Sequence, residues 1–226
     1  GDGIGGAHGG SGLSSLGGSI RLGELLPDAP PIAHALKLEL ANFWYYGGSQ
    51  LNPPTLDNGG RTQYVWPATG ANGGWSNATN SSSAGYEGTN RFVAPGALLA
   101  IPAARAASVA TKTAIGGKIK RAMVDYGGYI VDGSGKGPGT HKNLVAICMD
   151  ADVNAEMREA YNFSMAYPHG VSGAWDTNQT AAEASRYADL LAIFRALHAV
   201  SNNGPRSVGG GGTPRQPRKG PICGAP

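Results

Sequence analysis

The clearest hydrophobic pattern is the alternation of apolar and polar residues over Ile32–Leu40, which predicts a β-strand. Every second side chain of a strand lies on the same face, so His34 shares the apolar face, while Lys37 and Glu39 lie on the other. A histidine on a core face either forms hydrogen bonds within the core or lies at the floor of a cleft, where it can transfer protons. Both interpretations stay open.

Apolar spacing elsewhere predicts two helices and two further short strands. In the first helix, Ile115, Ile119 and Met123 recur every four residues, and Gly127 and Gly128 would end it. A capping box at Thr180–Glu183 starts the second helix, which should continue to His198. The predicted ranges are Thr113–Tyr126 and Thr180–His198 for the helices, and Tyr129–Asp132 and Leu144–Met149 for two neighbouring strands.

Composition favours a loop-rich β-protein, because the chain has 37 glycines, 15 prolines and only 15% charged residues. We expect a mainly β fold, an antiparallel β-sandwich or jelly-roll-like pair of sheets with two helices and long Gly-rich loops. The predicted organisation is a Gly-rich arm or linker over residues 1–18, one β-rich domain over 19–205 and an extended Pro/Gly-rich tail over 206–226.

Aromatic residues are concentrated at Phe43–Tyr46 and at Tyr64–Trp66, and two more lie in a polar loop at 68–90. Flat rings stack on sugar faces, and two aromatic residues in a polar loop favour contact with a partner or a glycan. The alternative is that the rings belong to the core. The candidate binding residues are Trp44, Tyr46, Trp66, Trp75 and Tyr86.

Charge and spacing exclude several classes of function. The net charge of +3 lies largely in the tail, so the chain has no basic face for nucleic acid. No run of 18 apolar residues predicts a membrane span. Asp150, Asp152 and Asn154 resemble the start of a calcium loop, but its glycine and final glutamate are absent, and the histidines lack the spacing of zinc ligands. We therefore predict no metal and no cofactor.

The remaining catalytic candidate is His34, acting as a general acid or base with a carboxylate or a phenol. Asp132 and Tyr126, at a predicted strand end and a predicted helix end, are the natural partners. The alternative role for Asp132 is to cap the Gly-rich turn that follows it. The sequence does not decide whether the protein is an enzyme.

Cysteines and glycosylation motifs favour an oxidising, extracellular location. Cys148 and Cys223 would form one disulfide that pins the tail, and the alternative is two unpaired thiols. Four Asn-x-Ser/Thr motifs suit a secreted glycoprotein. Their asparagines are Asn77, Asn80, Asn162 and Asn178.

Four segments resemble a family of secreted bacterial proteins that has no assigned activity. They are the Ile-x-His-Ala-Leu element at Ile32–Leu36, the Trp-Pro-Ala-Thr element at Trp66–Thr69, the Ala-Met-x-x-Tyr-Gly element that continues to Asp at Ala122–Asp132, and the Gly-Leu to Glu-Leu pattern at Gly12–Leu25. The resemblance implies a secreted or cell-surface β-sandwich, preceded in many members by further sequence. Members often have a histidine where this chain has Gly70, which argues against a mechanism with two histidines.

Two functions follow as hypotheses. The first is an extracellular protein that binds, and in one version cleaves, polysaccharide or glycoprotein glycans. The second is a structural subunit whose Gly-rich and Pro-rich arms pair with other copies of the chain, or with a missing N-terminal segment, because low-complexity ends usually take their order from a partner.

Overall fold

The centre of the structure, a computed structural model, is a parallel pair of strands, β1 (Leu36–Leu40) and β3 (Gly128–Gly133). The structure describes residues 9–41, 44–45, 64–71, 88–90, 92–133, 145–162 and 181–204. Pairing runs from Leu36 opposite Gly128 to Leu40 opposite Gly133, with an irregularity after Leu38.

Three shorter strands extend this pair into a mixed five-stranded sheet in the order β4-β1-β3-β2-β5. All three run antiparallel to their neighbours. They are β2 (Leu98–Ala100), β4 (Val145–Ile147) and β5 (His198–Ala199). The helices of the described residues are α1 (Ala114–Asp125), α2 (Val153–Tyr161), α3 (Ala181–Arg195) and two 3-10 turns at Gly9–Ser11 and Ala103–Ser108.

The prediction of a sheet decorated by helices is confirmed in part, because the described residues contain more helix than strand and the fold is therefore not mainly β. Three further details are wrong. The sheet is mixed rather than antiparallel, because β1 and β3 run in the same direction. Strands Tyr129–Asp132 and Leu144–Met149 are not neighbours, since β1 lies between β3 and β4. The described helices also outnumber the two that were expected.

Helix α1 confirms its prediction at both ends. The side-chain oxygen of Thr113 accepts a hydrogen bond from the N–H of Gly116 at 2.9 Å and caps the helix. Gly127 ends it with a φ of +71°, a conformation that glycine adopts most easily. A Cβ at Gly127 would also lie 2.5 Å from the carbonyl oxygen of Leu99.

Other predicted elements are shifted or missed. Strand β1 begins at Leu36 rather than Ile32, although Ile32 is buried. Helix α3 ends at Arg195, so His198 lies in β5 and not in the helix. Asp152, which suggested the start of a calcium loop, is instead the residue before helix α2.

Apolar side chains of α1 and the sheet form one hydrophobic core. Ile115, Ile119 and Met123 are buried in it together with Leu38 and Ile130. None of the described helices has the length and hydropathy needed to cross a membrane.

The other face of the sheet is covered by residues 9–19, which we call the N-terminal segment. Its Ser15 carbonyl accepts a hydrogen bond from the side-chain ammonium of Lys37 at 2.6 Å, and its Leu13 lines the same cavity as Tyr129 and Val131 of β3. Lys37 is consequently only 3% exposed. Both faces of the central strands are therefore covered, as is usual for parallel strands.

A buried carboxylate joins α3 to the start of α1. Asp189 is 2% exposed and accepts hydrogen bonds from the N–H groups of Lys112 and Thr113 and from the Thr113 hydroxyl, at 2.7–2.8 Å. The approach is close because position 116 has no side chain: a Cβ on Gly116 would lie 2.7 Å from Cβ and Cγ of Asp189.

We predict that Gly116→Ala lowers the free energy of unfolding by about 1–3 kcal/mol, because the added methyl group overpacks this contact. The matched control is Gly117→Ala, whose Cβ would meet only Thr111 Oγ1, at 4.0 Å. This control should leave stability unchanged or raise it by up to about 1 kcal/mol through helix propensity. Urea denaturation of both variants measures the difference, and equal stabilities would contradict the prediction.

Candidate functional site

The three residues predicted to act together in catalysis lie at two different ends of the β1–β3 pair. His34 and Tyr126 lie two positions before Leu36 and Gly128, which are the first paired residues, so both lie at the amino end of the strand pair. Asp132 pairs with Glu39 near the carboxyl end. Asp132 follows Gly128 by four positions, which corresponds to about 13 Å along an extended strand. The structure therefore does not bring Asp132 to His34.

At the amino end, His34 contacts a different carboxylate, that of Glu24. Its Nε2 lies 3.0 Å and 3.1 Å from the two carboxylate oxygens, and its Nδ1 lies 2.9 Å from the carbonyl oxygen of Ala35. The two side chains are 18% and 20% exposed. Both partners only accept hydrogen bonds, so a ring with a proton on each nitrogen satisfies both contacts.

This arrangement engages both nitrogens of the His34 ring. A general base needs one nitrogen within reach of the substrate proton. The geometry therefore favours the first interpretation of His34, a histidine satisfied by hydrogen bonds, although the ring is not sealed in the core. Tyr126 is half-buried at the end of α1, where its N–H donates to the Ala122 carbonyl at 2.8 Å.

Sequence reasoning missed Glu24 as the partner of His34. The carboxylate also accepts from the N–H of Arg21 at 2.8 Å, while the neighbouring Gly23 N–H donates to Glu156 of α2 at 2.8 Å. Glu24 lies in a turn ten residues before His34, and no motif or spacing rule in the sequence joins the two residues.

The carboxyl end holds Asp132 and Glu39, and the thiol of Cys148, a residue whose N–H donates to the Lys37 carbonyl at 3.1 Å, contacts Glu39. Asp132 Oδ1 accepts from the N–H of Gly133 at 2.7 Å, which supports the predicted capping role, and its carbonyl accepts from the Tyr45 hydroxyl. The Cys148 thiol donates to Glu39 Oε1 at 3.4 Å. In the described part of the chain, the second carboxylate oxygen of Asp132 has no hydrogen bond.

Burial, the largest cause, and the negative charge of Glu39 act together to raise the pKa of the Cys148 thiol to about 12. The hydrogen bond to Glu39 and the charge of Asp132 act in the same direction, whereas Lys37 opposes them. A thiol that stays protonated is a poor nucleophile. Cys148 therefore does not suit covalent catalysis.

Two of the five candidate binding aromatics lie within the described residues, and they are in different places. Trp44 follows β1 and is 47% exposed. Trp66 is half-buried, with a cis peptide bond to Pro67, and its carbonyl accepts from Asn203 at 3.5 Å. Asn203 also accepts from the hydroxyl of Tyr129, near the start of β3, so Trp66 is not part of the carboxyl end. Tyr46, Trp75 and Tyr86 lie outside the described residues.

The residues predicted to be modified are mostly outside the described ranges. Asn162 is exposed at the end of α2, with left-handed backbone angles. Cys223, Asn77, Asn80 and Asn178 lie outside, so the disulfide and the glycosylation stay predictions. No group of three or more His, Cys, Asp or Glu side chains is arranged to hold a metal ion within the residues that the structure covers.

Comparison of the chain with models of protein families, with curated proteins and with solved structures gives no match.

We predict that His34 and Glu24 are energetically coupled by about 1 kcal/mol, because their charge-assisted hydrogen bonds are half-buried. A double-mutant cycle with His34→Ala and Glu24→Gln, followed by urea denaturation, measures this coupling. The reference cycle uses Arg121 and Asp125, whose pair has a 3.4 Å contact and an arginine that is 63% exposed. It should give only about 0.3–0.5 kcal/mol, and a larger value there than at His34 would contradict the prediction.

We also predict that Cys148 reacts slowly with iodoacetamide. At pH 8 a thiol of pKa about 12 should react about a thousandfold more slowly than a thiol of the ordinary pKa of 9.0, because less of it is thiolate. The rate should rise about tenfold per pH unit up to about pH 11. The measurement uses reduced Cys223→Ser protein, with the same protein in urea as the control.

Glu39→Gln should speed this reaction several-fold, since it removes a charge that raises the pKa of Cys148. A native thiol that reacts as fast as the unfolded one would show that Cys148 is neither buried nor held beside carboxylates.

Proposed function

We propose that the protein is an extracellular or cell-surface protein that binds polysaccharide or glycoprotein glycans at the carboxyl end of β1 and β3. The observation that carries the proposal is Trp44, a large aromatic side chain that is 47% exposed and lies four positions after the last residue of β1. Its neighbour Tyr45 is fully buried and donates its hydroxyl hydrogen to the Asp132 carbonyl. Trp44 is therefore attached to a rigid part of the fold.

The chemistry of this end suits a sugar ring. An exposed indole offers an apolar face to the C–H side of a pyranose. Carboxylate oxygens accept hydrogen bonds from sugar hydroxyls, and Asp132 keeps one oxygen for this role within the described structure. The N–H of Gly88 donates to the Tyr45 carbonyl at 2.7 Å, which holds the end of the polar loop 68–90 beside Trp44. Tyr86 precedes Gly88 by two positions.

A more specific form of this proposal is that the protein also cleaves the glycan that it binds. Glycoside hydrolysis commonly uses two carboxyl groups, and Glu39 and Asp132 pair in register on neighbouring strands. His34 and Tyr126, at the amino end, have no part in this version. We also propose that the protein is secreted, that it belongs to the family it resembles and that its fold is a β-sandwich. A sandwich needs a second sheet, which residues outside the described ranges would have to form.

The alternative hypothesis, a structural subunit joined by its arms, stays a prediction. Residues 9–18 of the predicted N-terminal arm lie on this chain's own sheet. Mass photometry of the whole chain and of a chain without both arms tests the alternative, because large assemblies that need the arms would support it.

We predict that Trp44→Ala weakens binding to a polysaccharide ligand about tenfold or more, since the stacking surface is lost. Affinity electrophoresis in gels containing neutral or acidic polysaccharides measures the binding. Leu22→Ala is the matched control, because Leu22 is 52% exposed but lies near the amino end. His34→Ala should bind like the wild type.

Two outcomes would refute the proposal. If the unmodified chain is retarded by none of the polysaccharides, glycan binding is wrong. If Trp44→Ala binds as well as the wild type, the site is wrong.

A further inference from the structure

A buried ammonium group lies between the sheet and the N-terminal segment. Lys37 is in the middle of β1 and is 3% exposed. Its Nζ donates to the carbonyl oxygen of Ser15 at 2.6 Å. An ammonium has three hydrogens to donate, and within the described residues this is its one hydrogen bond.

No carboxylate of the described residues forms an ion pair with Lys37. Glu39, two positions along the same strand, instead accepts from the Cys148 thiol. Buried charges in proteins are normally paired and fully hydrogen-bonded, because leaving water costs them several kcal/mol. Among the described residues, Lys37 therefore lacks the partners that burial of a charge normally requires.

A cavity of about 250 Å³ lies beside this lysine. Its walls are mostly apolar and include Leu13, Leu36, Pro67, Tyr129 and Val131. Lys37 itself lines the cavity, as does Ser14, the neighbour of the residue whose carbonyl binds the ammonium. The hydroxyl of Tyr129 already donates to Asn203 at 3.2 Å.

We propose that this cavity binds a small organic carboxylate, with the carboxylate on the Lys37 ammonium and the hydrocarbon part against the apolar walls. Lys37 is the one charged residue among those that line the cavity, so the charge selects an anion. The remaining walls select an apolar body. Pockets for drug-sized ligands have about 300–1,000 Å³, so the ligand is smaller than these. This inference does not depend on glycan binding.

The test uses the full chain with butyrate and benzoate as probes, and butyramide and benzamide as neutral controls of the same shape. Saturation-transfer NMR and thermal unfolding measure binding at millimolar concentrations. We expect the carboxylates to bind at least tenfold more tightly than the amides and to raise the melting temperature.

Two variants locate the site. Lys37→Met keeps the length of the side chain without its charge and should weaken benzoate binding at least tenfold. Ala35→Leu extends a lining residue into the cavity and should weaken it similarly. The matched control is Lys118→Met, since the Lys118 ammonium also donates to a backbone carbonyl, that of Ala29 at 2.6 Å, but does not line the cavity.

Three results would overturn the proposal: no binding of either carboxylate, equal binding of carboxylates and amides, or unchanged binding by Lys37→Met. If Lys37→Met does not fold, the proposal is still tested by the comparison of benzoate with benzamide and by the Ala35→Leu variant. Unchanged benzoate affinity in Ala35→Leu would then refute the assignment of the cavity.

Discussion

The parallel pairing of β1 with β3 is the interaction on which the rest of the structure depends. The N–H of Leu36 donates to the carbonyl of Gly127 at 2.9 Å, directly after α1 has ended, and this bond fixes the start of the register. Since the two strands run in the same direction, the residues before both strands lie at one end of the pair, and the last residues of both strands lie at the other end. His34 and Tyr126 are thereby separated from Glu39 and Asp132.

The pairing also requires cover on both faces of the sheet. Helix α1 supplies it on one face through Ile119 and Met123, and the N-terminal segment supplies it on the other. Glycines in that segment let its backbone come close: Gly18 has a φ of +85°, and a Cβ there would lie 2.9 Å from Cγ of Lys37. A Gly-rich stretch that resembles a linker in sequence is therefore part of the packed fold.

Local elements could be predicted from the sequence where the signal is local. Helix α1 has a regular apolar spacing, a capping threonine and a terminating glycine, and all three lie within 15 residues. The direction of β1 relative to β3 depends on contacts across more than 80 residues, which alternation of apolar residues does not encode.

The candidate sites were less predictable than the fold elements. The sequence placed His34 on the same face as the core, but its partner Glu24 comes from a turn ten residues earlier, and no spacing rule joins them. The carboxylate beside Cys148 is more than 100 residues away in sequence. Trp44 is the more exposed of the two predicted binding residues that the structure describes, and it lies just past the end of β1.

Lys37 brings the fold and the chemistry together. Its backbone N–H and its ammonium both bind the N-terminal segment, at Gly18 and at Ser15, so one residue anchors the cover of the sheet at two points. A methionine or leucine would fill this position without the cost of burying a charge, and a carbonyl acceptor compensates only part of that cost. The anchoring role therefore explains why the side chain lies under the segment, but it does not explain why that side chain carries a charge. An anion in the adjoining cavity does, because it would supply both the counter-charge and the missing acceptors.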